Sequence, residues 1–147
     1  QAFAAHIKAA NDLEKPLIIH TRDAREDTIK LMKEYQADRC GGVMHYFTES
    51  WAMAKQALDL GFYISFTGMI TFVKELEEII KKIDLNHMLI ETDSPYLAPI
   101  PYRGKVNQPA YVQKVAEKIC EIKNLPIEKV IDITTKNANI LFNKIVS

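Results

Sequence analysis

Cysteine is scarce: Cys40 and Cys120 are the only two in 147 residues. Two thiols make neither a disulfide framework nor a zinc knuckle. They read as small packing residues in a reducing, cytoplasmic setting. An excess of one charge is also lacking, since 19 Lys and Arg balance 19 Asp and Glu. That excludes the strongly basic footprint of a dedicated nucleic-acid binder. No run approaches the ~20 apolar residues of a membrane span, so no membrane partner is expected. The opening QAFAAH has no basic n-region followed by an apolar h-region, and no secretory leader is expected from it. Five glycines are present, and none belongs to a GxGxxG or Walker pattern, which argues against nucleotide binding. Length excludes one more thing: a complete (β/α)8 barrel takes at least ~200 residues. What is present is a 48% hydrophobic chain without net charge, the composition of one folded domain rather than a disordered segment.

Its organisation is strand and helix in alternation. Residues 2–14 place Phe3, Ile7, Ala10 and Leu13 on one helical stripe, and Pro16 ends that element. Residues 17–20 form a short apolar run. Asp23 then reads as an N-cap with Glu26 three residues on. The helix it starts runs to Tyr35 and buries Thr28, Leu31, Met32 and Tyr35. The unit repeats with a strand at 41–47, a helix from Ser50 to Leu60 closed by Gly61, and a strand at 62–66. A helix over 72–83 and a strand over 87–93 follow. A Pro-rich loop covers 94–107. Pro109 suits the first turn of a helix running to Lys123, and residues 127–146 make one or two more helices. Apolar strands alternating with amphipathic helices predict an α/β fold with a parallel sheet, either doubly wound or part of a barrel.

Three strands end in residues that make poor core and good ligands: His20, His45 and Asp93. Alternation along a strand puts Glu91 on the same face as Asp93. The carboxyl ends of parallel strands form the active-site rim of such folds. Two imidazoles and a carboxylate meeting there suit a divalent metal. Each alone reads as a satisfied polar residue or a cap; three at equivalent positions favour the metal. Arg22 lies just above this rim. Arg103 and Lys105 lie in the loop after Asp93, with Tyr96 and Tyr102 nearby. Such residues can grip a phosphate and stack a base, or simply make a solvated loop. Ser65 and Cys40 lack a base partner, which leaves nucleophilic catalysis without support.

The stretches PLIIHTRDA (16–24), GVMHYFTE (42–49), GFYISFTG (61–68) and LIETDSPYLAP (89–99) closely resemble the TatD family of metal-dependent deoxyribonucleases, in its YcfH-like branch. YRGK (102–105), NQP (107–109) and TTKN (134–137) followed by Leu141 and Phe142 continue the likeness. The resemblance implies a TIM barrel, a site for two divalent ions (Mg, Mn or Zn) and hydrolysis of DNA phosphodiesters, as a 3′→5′ exonuclease. It implies His20, His45 and Asp93 as metal ligands, with Asp93 also the proton acceptor. Glu91 and Arg103 join them as catalytic residues, Glu91 by orienting the site. Arg22, Arg103, Lys105 and Tyr96 become the contacts to DNA, the expected substrate. The alternative is a related metal hydrolase acting on an amide, lactone or aminoacyl ester, or a non-catalytic half-barrel working only by association.

The family's His-x-His pair and its bridging glutamate have no counterpart here. Residues 1–147 are therefore expected to be a partial barrel domain, the C-terminal half of a TIM (β/α)8 barrel with four parallel strands and outer helices. Its N-terminal half is expected to be absent and its activity weak or nil. Ile18, Val43, Ile64 and Leu89 are expected to lose their facing partners, and the chain to associate with another copy or with a missing half.

Overall fold

The computed structural model describes residues 2–143. Four parallel strands, β1 (Leu17–Ile19), β2 (Gly42–Met44), β3 (Tyr63–Phe66) and β4 (Met88–Ile90), lie side by side in chain order. The helices α1 (Ala2–Leu13), α2 (Arg25–Glu34), α3 (Trp51–Asp59), α4 (Glu75–Lys82), α5 (Val112–Lys123) and α6 (Ile127–Phe142) precede, separate or follow them. The expected α/β architecture is the one observed. No helix among the described residues is long and apolar enough to cross a membrane.

Register explains the two faces of the sheet. Ile19 pairs with Met44, Met44 with Ile64, and Ile64 with Met88. That row is buried under the helices, with Ile7, Met32, Met53, Ile80 and Ile119 packed in the same core. Burying each such side chain contributes about 1.5–3 kcal/mol. Ile18 pairs with Val43, Val43 with Tyr63, and Ser65 with Leu89, forming the opposite face. Ile64 therefore belongs to the helix-covered row and not, as expected, with Ile18, Val43 and Leu89. Val43 and Leu89 keep partners as well, because they share a buried cluster with Leu141 near the end of α6. Of the four, Ile18 alone stays exposed, at 63%.

Side-chain hydrogen bonds fix α6 there. Asn137 is buried, and its amide donates to the carbonyls of Leu85 (2.9 Å) and Met88 (2.8 Å) at the start of β4. The amide thereby bridges two backbone carbonyls and ties α6 to the sheet.

Several local expectations need correction. Leu13 is 67% exposed, so the stripe of α1 ends at Ala10. Asp23 does not cap α2: Ala24 holds that position without a side-chain bond, while Asp23 has a φ of 55°. The turn out of β1 needs a left-handed residue, which Asp tolerates, so α2 begins later. The helix expected over 72–83 starts at Glu75 because a tight turn over Gly68–Thr71 precedes it. Thr67 Oγ1 accepts from the Met69 N–H, and Thr71 Oγ1 donates to the Gly68 carbonyl at 2.7 Å. Phe72 is left outside the helix. Ser50 does cap α3, and Gly61, with a φ of 76°, follows its end. Pro109 opens the turn that leads into α5. Residues 127–142 form one helix; the expected helical stretch up to 146 runs past the described residues.

Candidate metal centre at the strand ends

The strand ladder continues one residue past each strand and aims the polar side chains. The His45 N–H donates to the Ile19 carbonyl at 2.8 Å, pinning His45 to β1. The Phe47 N–H donates to the Ser65 carbonyl, and the Glu91 N–H to the Phe66 carbonyl, each at 3.0 Å. Between the two pinned residues, Tyr46 is forced to a φ of 50°. A tyrosine in this left-handed region is uncommon and needs fixing by its surroundings. Its N–H is held by Glu91 Oε1 at 2.8 Å, and its ring stacks on His20 with centroids 5.7 Å apart.

The four residues expected at the rim meet there. The His20 and His45 rings lie 5.8 Å apart. His45 Nδ1 bonds to Glu91 Oε2, and His45 Nε2 lies 3.6 Å from Asp93 Oδ1. A carboxylate only accepts, so Nδ1 donates in that bond, and Nε2 is directed toward Asp93. This is the arrangement in which an outer carboxylate orients a ligating imidazole. The Nε2–Oδ1 separation is too long for a hydrogen bond. Both atoms are of the kind that ligate a divalent cation. The donor set of two imidazoles and carboxylates matches the chemistry of a divalent-metal site. Among the described residues no three His, Cys, Asp or Glu side chains stand ready as a closed coordination cluster; His20 rests against Tyr46 instead.

Asp93 is set by the loop that follows it. It has a φ of 56°, and its carbonyl accepts from the Tyr96 N–H at 3.0 Å. Buried Asn107 donates to the carbonyls of Thr92 (2.8 Å) and Tyr96 (2.6 Å), clamping the loop's two ends. Gly68 lets this loop approach the turn after β3: a methyl there would press on the Leu97 carbonyl oxygen and lie 3.0 Å from the Pro99 nitrogen.

The remaining expected contacts lie apart. The Arg103 guanidinium sits 3.7 Å from the centre of the Phe72 ring. Arg22 is exposed beside Asp23, at 3.9 Å. Lys105 and Tyr96 are exposed, and Tyr102 stacks on Tyr111 at 3.9 Å. Among the described residues, the side chains of Arg22, Tyr96, Arg103 and Lys105 form no hydrogen bond, ion pair or ring contact with His20, His45, Glu91 or Asp93.

Comparison with known proteins gives the family and the fold. The family model described as "TatD related DNase" matches residues 1–143. The chain belongs to the TatD family. It is 52% identical over 143 residues to an uncharacterized metal-dependent hydrolase of Buchnera aphidicola subsp. Acyrthosiphon pisum, covering 96% of this chain and 54% of that protein. It is 47% identical over 145 residues to the uncharacterized metal-dependent hydrolase YcfH of Escherichia coli K12, covering 97% and 55%. The crystal structure of YjjV, a TatD homologue from E. coli K12, superposes with a TM-score of 0.86 at 28% identity, over 93% of this chain and 53% of that one. The chain thus spans about half the length of these TatD relatives. Its four strands correspond to half of their TIM barrel, as the sequence resemblance implied.

Two residues beside the site escaped the sequence reading. Tyr46 was invisible because its ring reaches His20 only from a left-handed backbone. Glu49 looked like an ordinary residue before a helix cap, yet it is buried against Thr21 and Arg25. An acidic residue directly before the Ser50 cap was the available signal, but its partners lie 24 and 28 residues away.

Proposed function

We propose that this chain carries the metal-binding and substrate-gripping rim of a metal-dependent hydrolase that cleaves DNA phosphodiesters, working inward from the 3′ end. The observation that carries the reading is His45 held between Glu91 and Asp93 at the carboxyl ends of parallel strands. Membership of a family described as TatD related DNase supports it, as do relatives named metal-dependent hydrolases.

His20, His45 and Asp93 would hold divalent metal, of which the full-length family's site takes two ions from among Mg, Mn and Zn. When bound, such ions supply Lewis acidity and lower the pKa of a nearby water. Asp93 accepts the proton of the attacking water. Glu91 keeps the His45 imidazole in the tautomer that offers Nε2. Arg103 grips the phosphate by two parallel N–H donors, with Arg22 and Lys105 adding charge and Tyr96 a face for a base. The Arg103 guanidinium already sits over the Phe72 ring in a cation–π contact.

The chain incubated with end-labelled single-stranded DNA and Mn²⁺ is expected to show slow, metal-dependent shortening from the 3′ end. Arg103→Ala is expected to reduce that rate at least about tenfold, the equivalent of one charged hydrogen bond. It should leave any turnover of a neutral lactone or carboxylic ester unchanged. Ester turnover without DNA cleavage, or equal losses on both substrates, would contradict the phosphodiester reading.

A further inference from the structure

Glu49 is the one buried acidic side chain among the described residues, at 7% exposure. A carboxylate is expensive to take out of water unless charge and hydrogen bonds compensate it. Here both oxygens are engaged. Oε1 accepts from Thr21 Oγ1 at 3.3 Å, and Oε2 accepts from Arg25 Nε. The placement of the three residues is informative. Thr21 directly follows His20, Arg25 is the first residue of α2, and Glu49 lies four residues beyond His45. One carboxylate therefore fastens both sides of the exposed turn after β1 to the loop after β2. These are the two loops that carry the imidazoles. The turn contains Asp23 in a left-handed conformation, so its path is not set by regular backbone pairing.

We infer that Glu49 is a positioning residue that holds the β1 and β2 loops in register, keeping His20 against Tyr46 and at its observed separation from His45. The effect on metal affinity rests on the reading of those imidazoles as ligands; the loop coupling itself does not. Glu49 reaches no imidazole directly, so it acts through Thr21 and Arg25.

The test separates the two levels. In metal-free chain, nuclear Overhauser contacts between the His20 and Tyr46 rings report the coupling. Mn²⁺ titration of the same samples reports affinity. Glu49→Ala is expected to remove the ring contacts and to weaken Mn²⁺ binding about 10–100-fold, as for loss of an orienting partner. Thr21→Val keeps the volume and the Arg25 pair but removes the link on the His20 side of the turn. It is expected to weaken the ring contacts and to lower affinity about fivefold, as for one hydrogen bond. Glu49→Gln retains an acceptor for Thr21 and should recover most of the ring contacts. Should Glu49→Ala fail to fold, Thr21→Val decides. Ring contacts unchanged in Thr21→Val would overturn the inference. If wild-type chain binds no Mn²⁺, the metal reading fails, while loss of the ring contacts in the variants still supports the coupling and their persistence still refutes it.

Discussion

His45→Ala is expected to lower the affinity of the chain for Mn²⁺ by at least about 100-fold, more than loss of an orienting partner does. Three features converge on this imidazole. Its backbone N–H is locked to β1 through the Ile19 carbonyl. Glu91 engages Nδ1, and Nε2 faces Asp93 across 3.6 Å. Truncation removes the proposed ligand together with its contacts to both carboxylates. Glu91→Gln is expected to cost about 10–100-fold, because it keeps the ligand and loses only its orientation. Because the His45 side chain is only 25% exposed yet sits at the rim rather than in the core, folding should survive the change. Calorimetric titration checks both variants. Equal affinities for wild type and His45→Ala would remove this residue from the site.

Gly42→Ala is expected to destabilise the fold by about 3 kcal/mol, the upper range for forcing a methyl into packed structure. The methyl would press on the Leu17 carbonyl oxygen, 2.9 Å from the Leu17 nitrogen and 2.7 Å from the Phe62 ring. Two of those atoms are backbone of β1, which pairs with β2 at this position. They cannot rotate away as a side chain could, so the strands must separate or shift. The same ladder aims His45, and metal affinity should fall along with stability. Chemical denaturation with an unchanged slope and a lower midpoint is the expected signature. A midpoint equal to wild type would mean that β1 and β2 have slack at Gly42.

The alternation of elements was legible because buried parallel strands are apolar runs and their covering helices carry periodic stripes. Ser50 and Gly61 mark the ends of α3 by local chemistry that needs no distant partner. The meeting of His20, His45, Glu91 and Asp93 was legible for a related reason: parallel strands deliver their carboxyl ends to one side. What could not be read depends on contacts between residues far apart in the chain. Leu141 covering Val43 and Leu89 requires knowing where α6 crosses the sheet. Burial of Glu49 requires Arg25 and Thr21 to be its neighbours. The short strands also confused the placement of Ile64, since one residue of register exchanges the two faces. The turn over Gly68–Thr71 replaced the first turn of an expected helix because Thr67 and Thr71 bond to nearby backbone, competing with helical pairing.

The central claim is that the ends of β1, β2 and β4 form one divalent-metal site. Anomalous diffraction from crystals of the chain grown with Mn²⁺ tests it most directly. A peak is expected within about 2.0–2.3 Å of His45 Nε2 and an Asp93 oxygen, with the His20 imidazole as third ligand and Glu91 still on His45 Nδ1. A well-ordered crystal with no manganese peak there, or with Nε2 of His45 directed away from the ion, would contradict it.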